Sequence, residues 1–156
     1  HLNWKKIFLF IWILIFIQIS YGAFVSGTHS GLLFNTWPLY DGKVFPLIEN
    51  NELRGIINYF ERGEYIIFLH RTLAVLILFF VIYINYLSYN ISNSFKKNSF
   101  LIIFNLIFIL QILLGVLMTY QNIPWHFALA HQGNSILLFL FSISMWQFSK
   151  KVPAEK

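Results

Sequence analysis

"YIIFLHRTLAVLILFFVIYINYL", residues 65–87, runs for 23 residues with His70 and Arg71 as its only basic side chains and no Asp or Glu. As a helix rising 1.5 Å per residue it would be about 35 Å long, enough to cross a hydrocarbon core about 30 Å thick. A lipid-exposed backbone must satisfy its own polar groups, so only helices and closed barrels span membranes, and a spanning strand needs about half this length. Three further apolar runs, about 4–25, 99–120 and 125–148, have the same character. The expected fold is an all-α membrane protein, a four-transmembrane-helix bundle forming one domain over residues 1–156.

Composition agrees. The chain is 58% hydrophobic, 20% aromatic and 11% charged, with mean hydropathy +0.65, too apolar for a soluble domain of 156 residues. The net charge of +5 and pI near 9.5 are explained by topology, so no nucleic-acid partner is implied and the partner is membrane lipid. Lys5 and Lys6 precede the first run, Lys96 and Lys97 lie between the second and third, and Lys150, Lys151 and Lys156 follow the fourth. The first connection instead sets Lys43, Arg54 and Arg62 against Asp41, Glu49, Glu52, Glu61 and Glu64, and the short third connection has no Lys or Arg. The positive-inside rule therefore places both termini and the second connection on the cytoplasmic or matrix side.

The first run is long for a signal peptide and is read as a retained span. The chain starts at His1 without Met, so a preceding segment is expected. With no Cys, disulfides and thiolate ligands are excluded.

The outer connection, about 27–63, is too long for a simple link. Its first half, "GTHSGLLFNTWPLYDGKVFP", mixes aromatics with Gly and Pro as a segment packed over the bundle mouth would. Its second half places Leu53, Ile56, Ile57 and Phe60 at helical spacing, predicting a short interfacial helix. An aromatic interfacial belt accounts for the same composition.

Depth sorts the five histidines. His1 is terminal, His29 lies in the loop and His126 at the outer edge of the fourth run; only His70 and His131 lie inside spans. Each is six residues beyond the outer end of its helix, at Glu64 and Trp125, so both sit about 9 Å deep. A weak internal repeat agrees. "QISYG" (Gln18 to Gly22) and "QILLG" (Gln111 to Gly115) each precede a histidine-bearing helix, so Gln18, Gly22 and His70 correspond to Gln111, Gly115 and His131.

Two inward imidazoles at one depth suit a flat ligand such as haem, whose iron takes an axial nitrogen on each face. Gly22 and Gly115 would then leave room for the porphyrin; helix packing through small residues is the other account of them. For the histidines the other account is interhelical hydrogen bonding, although ionisable residues inside a membrane generally mark function. Arg71 points about 100° away from His70 and suits a carboxylate such as a haem propionate, or it snorkels to headgroups. Gln132, its counterpart beside His131, either hydrogen-bonds a ligand or packs.

The stretches "GAFVSGTHSGLLFNTWPLYDGKVFP", "FLHRTLAV", "LQILLGVLMTY" and "LAHQGNSILL" together resemble, in order and over nearly the whole chain, the C-terminal half of haem A synthases of the mitochondrial and alphaproteobacterial type. The resemblance implies two pseudo-symmetric four-helix bundles that oxidise a methyl group of haem O to the formyl group of haem A for terminal oxidase assembly. It implies a haem b held by His70 and His131, a pocket open to the outer face, and residence in a bacterial or mitochondrial inner membrane. It also implies as partners an N-terminal substrate bundle that binds haem O, haem O synthase and oxidase assembly factors.

One departure matters. The family's substrate half carries a glutamate three residues before its first histidine, and here that position is Ile67. This chain is accordingly expected to relay electrons and to make no haem A alone. A stand-alone b-type cytochrome and a haem-free four-span assembly factor are the competing readings.

Overall fold

The computed structural model describes residues 3–46, 61–91 and 95–149, the side chains of 90, 91 and 95–98 excepted. Four helices account for most of them: α1 (Trp4–Gly27), α2 (Gly63–Ile91), α3 (Phe95–Tyr120) and α4 (Trp125–Ser149). All four are long and apolar enough to cross a membrane. This is an integral membrane protein built as a four-helix bundle. The interfacial helix expected at Leu53 to Phe60 lies outside the described residues.

Local chemistry sets the helix ends. The Asn3 side chain accepts the Lys6 N–H at 3.2 Å and caps α1. At its other end Thr28 closes onto the Phe24 carbonyl through both its N–H and its hydroxyl, at 2.9 and 2.7 Å, and His29 turns left-handed at φ 54°. The C-terminus of α3 is a paired reverse turn: the Ile123 N–H reaches the Met118 carbonyl and the Asn122 N–H that of Thr119. Pro124 follows, just before α4, where its missing N–H costs no helical hydrogen bond. The reversal between α3 and α4 thus takes only four residues.

Helix α1 packs against α2 and α4, α4 also packs against α3, and α2 and α3 meet at few places. The histidine-bearing α2 and α4 therefore stand on one diagonal, and the Gln–Gly helices α1 and α3 on the other. Two apolar clusters stack along the bundle. The deeper one draws Ile11 and Ile15 from α1, Ile77 and Val81 from α2, Phe104 from α3 and Leu138 from α4. The other gathers Val25, Tyr40, Ile66 and Ile67 at the loop end. Side chains such as Phe16, Phe79, Leu106 and Leu137 are exposed, as lipid-facing residues are. Within lipid such packing gains little from the hydrophobic effect, so close fit and polar contacts must hold the helices together. One such contact joins α2 to α3: Asn85 and Asn105 exchange amide hydrogen bonds at 3.1 and 2.7 Å. That pair lines an apolar groove of about 280 Å³ with Leu78, Val81 and Phe108.

The described part of the outer loop is a compact cap over the loop end. "YDGK" closes as a two-residue turn, with Tyr40 and Lys43 exchanging backbone hydrogen bonds of 2.8 and 3.1 Å across Asp41 and Gly42, both at positive φ. The Thr36 hydroxyl braces it, donating to the Leu39 carbonyl and accepting the Asp41 N–H. Tyr40, 5% exposed, plugs the gap between Phe34 and Phe68. The cap also reaches the other helix pair. The Tyr120 hydroxyl donates to the Trp37 carbonyl at 2.6 Å, and a Cβ at Gly31 would stand 2.7 Å from Ile123 Cδ1. A side chain at Gly31 would require the end of Ile123 to move. The expected packing over the bundle mouth is what the described half of the loop does.

Candidate functional site

Between the two apolar clusters lies a polar layer, and it is made of the repeat residues. Gln18 and Gln111 are each nine residues from the loop end of their helix, and His70 and His131 seven and six. At 1.5 Å per residue all four fall about 9 to 14 Å deep. Residues four apart share a helical face, so Gln18 and Gly22 both face α2, and Gln111 and Gly115 both face α4.

In the first pair, Gln18 Nε2 donates to the His70 carbonyl at 3.1 Å and lies 3.2 and 3.4 Å from ring Nδ1 and Nε2. A Cβ at Gly22 would stand 3.3 Å from His70 Cε1. In the second pair, Gln111 Nε2 lies 3.1 Å from His131 Nε2, and a Cβ at Gly115 would stand 3.1 Å from His131 Cε1. The correspondence expected from sequence is therefore realised in space. At each glycine the room left by the absent side chain is taken by the imidazole of the neighbouring helix.

Two buried polar atoms in this layer have no hydrogen-bond partner, Gln18 Oε1 and His131 Nδ1. Buried polar atoms are usually paired, and exceptions call for an explanation. Among the described residues no group of three or more His, Cys, Asp or Glu could hold a metal ion. The layer thus offers iron at most two imidazole nitrogens, a donor set that fits a metal whose other four positions are filled by a macrocycle.

Arg71 also serves the cap. Its Nη1 and Nη2 donate to the carbonyls of Thr36 at 2.9 Å and Phe34 at 3.0 Å, and its guanidinium carbon stands 4.9 Å from the Tyr40 ring centre. It clamps the cap to α2, because that irregular stretch of backbone needs donors and α2 presents a forked one beside it. The Tyr40 phenol, raised above its ordinary pKa by burial and pulled back by Arg71, stays neutral at physiological pH.

The Gln132 side chain is exposed, and its backbone carbonyl accepts the Ser135 hydroxyl. One residue along a helix turns the side chain about 100°, here away from the bundle. The polar neighbour of His131 is instead Asn134, three residues on and 7% exposed. Its Nδ2 donates to Gln111 Oε1 at 2.8 Å and to the Ile107 carbonyl at 3.0 Å. Sequence reasoning passed over Asn134, although an amide three residues from a histidine on one helical face was the available signal. His29 and His126 are exposed, away from this layer.

A polytopic helical protein with one histidine of its polar layer on each of two diagonal helices, each backed by a Gln–Gly face, is the class that fold and site define. Residues 1–143 match the COX15-CtaA family model, described as cytochrome oxidase assembly protein, and the chain belongs to that family. Similar proteins include the "Heme A synthase" of Bartonella henselae, 35% identical over 142 residues, covering 88% of this chain and 38% of that protein. The protein of the same name from Wolbachia pipientis wMel is 36% identical over 141 residues, covering 90% and 38%. That of Pelagibacter ubique is 36% identical over 133 residues, covering 83% and 38%. The chain thus spans about 38% of the length of these relatives. No solved structure matches it.

Proposed function

We propose that this chain is the electron-relaying bundle of a haem A synthase, with His70 and His131 as the two axial ligands of one haem b. The carrying observation is the matched polar layer: two histidines at one level on diagonal helices, with an unpaired buried atom at each pair. A haem bound there supplies one-electron redox chemistry at its iron. The residues of the chain do the rest. His70 and His131 would hold the metal in place of their amide contacts, and Gly22 and Gly115 leave the rings in contact with α1 and α3 without a side chain between. The cap, held by Arg71, keeps water from the loop end. A ligand carboxylate there would share the Arg71 guanidinium with the Phe34 and Thr36 carbonyls.

Oxidation of a bound methyl group is assigned elsewhere. Among the described residues the one carboxylate on the four helices is Glu64, at the loop end of α2, and the position three before His70 is Ile67, 5% exposed. General acid–base chemistry in the polar layer therefore has no carboxylate to use. The whole reaction, haem O to haem A, would need an N-terminal substrate bundle that binds haem O, with haem O synthase and oxidase assembly factors as further partners. The charge pattern supports an orientation with both termini on the cytoplasmic or matrix side, and membership of the family supports an inner-membrane setting.

A second reading has its own support: each histidine is already hydrogen-bonded to a glutamine, as in a haem-free bundle where the rings only pack. Pyridine-haemochrome and iron assays on the purified chain separate the two. About one haem b per chain is expected, with loss of the low-spin bands in His70→Ala and His131→Ala. A helical, iron-free wild-type protein would support the packing reading.

A further inference from the structure

We propose that Asn134 and Gln111 form a positioning chain that fixes the tautomer of His131, holding its neutral ring with the proton on Nδ1 and the Nε2 lone pair toward the Gln111 amide, which a metal taking that nitrogen would displace. This rests on the haem reading above, and it concerns two residues that do not themselves touch iron.

A backbone carbonyl only accepts hydrogen bonds. Ile107 O lies 3.0 Å from the Asn134 amide, so the group facing it must be the Asn134 NH₂. The same NH₂ faces Gln111 at 2.8 Å, so Gln111 must present its oxygen there. That turns the Gln111 NH₂ toward His131 Nε2, 3.1 Å away. A protonated Nε2 would oppose donor to donor. The neutral ring therefore carries its proton on Nδ1, the buried atom without a partner. An amide orientation is normally an assignment; here one backbone acceptor fixes the whole chain.

The first pair has no such device. The residue three beyond His70 is Leu73, which can donate nothing. The Gln18 NH₂ is tied to the backbone carbonyl of His70 and stands almost equally near both ring nitrogens, while Gln18 Oε1 is left unpaired. Nothing there selects a tautomer. His131 is thus held as one tautomer and His70 is not.

Nitrogen NMR of the haem-free protein with ¹⁵N-labelled histidine tests this without any bound metal. Wild type should show His131 as one tautomer, protonated on Nδ1, and His70 as a mixture. Asn134→Leu, which copies the Leu73 arrangement, and Gln111→Met should each convert His131 to a mixture, with helical circular dichroism confirming that both fold. Haem titration of Gln111→Met should show affinity equal to or above that of wild type, because the Gln111 amide occupies the nitrogen that iron would take. His131 protonated on Nε2 in wild type, an unaltered tautomer in both variants, or haem affinity lowered in Gln111→Met would overturn the proposal. The expected tautomers in a wild-type protein that takes up no haem would overturn the assignment to iron ligation and the haem reading with it, while leaving the amide chain as a tautomer lock.

Discussion

The pairs α1–α2 and α3–α4 carry the same triplet, Gln, Gly and His, at the same register, yet they hold it differently. In the second pair Asn134 orients Gln111 and Gln111 addresses one ring nitrogen. In the first, Gln18 turns back onto the backbone of His70 and leaves its own oxygen unpaired. The connections differ too. A four-residue turn joins α3 to α4, whereas the link from α1 to α2 includes a cap clamped by the residue next to His70. A repeated scaffold thus fixes where two side chains sit, and single substitutions around it decide how rigidly each is held.

The comparison can be broken at either histidine. His131→Ala and His70→Ala should each abolish six-coordinate low-spin haem; low-spin haem retained in either variant would remove that residue as a ligand. Arg71→Gln comes next. Losing charge-assisted hydrogen bonds to Phe34 and Thr36 should cost about 2 kcal/mol of cap stability, discounted for partial exposure. Amide exchange across residues 33–43 should then speed up roughly 30-fold, at 1.4 kcal/mol per factor of ten. Unchanged exchange would mean that Tyr40 and Tyr120 hold the cap without it.

Leu73→Asn sharpens the comparison from the other side. It gives the first pair the amide that the second has, and His70 should shift toward a single tautomer in the ¹⁵N spectrum. Persistence of the mixture would show that register alone does not reproduce the lock. Among the glycines, Gly115→Ala should disturb its histidine more than Gly22→Ala, because the added Cβ would stand 3.1 Å from the ring in one case and 3.3 Å in the other. Histidine ring shifts of equal size would deny that difference. The smallest effect is expected far from the layer. Asn85→Leu breaks the reciprocal amide pair joining α2 to α3 and should lower unfolding stability in detergent by about 0.6 kcal/mol, the average for hydrogen bonds between membrane helices.

The spans were legible because four apolar runs of bilayer length leave the backbone one economical solution. The pairing of His70 with Gln18 and Gly22, and of His131 with Gln111 and Gly115, was legible through the repeat, since two copies at one spacing report a common depth. Other features depended on contacts that spacing does not encode. The acceptors of Arg71 lie 37 and 35 residues away in an irregular loop, where no periodicity predicts the path of the backbone. One residue along a helix is a turn of about 100°, which takes Gln132 away from the layer, whereas Asn134, three residues on, returns to within about 60° of His131. The pair Asn85 and Asn105 joins two helices whose register no motif sets.

The central claim is that the two equivalent histidines bind the same iron. Electron paramagnetic resonance of the ferric protein, with and without ¹⁵N-histidine, tests it most directly. A low-spin signal with hyperfine coupling to two axial imidazole nitrogens, reduced to one in either alanine variant, is the predicted result. A high-spin or single-imidazole signal in the wild type would contradict it.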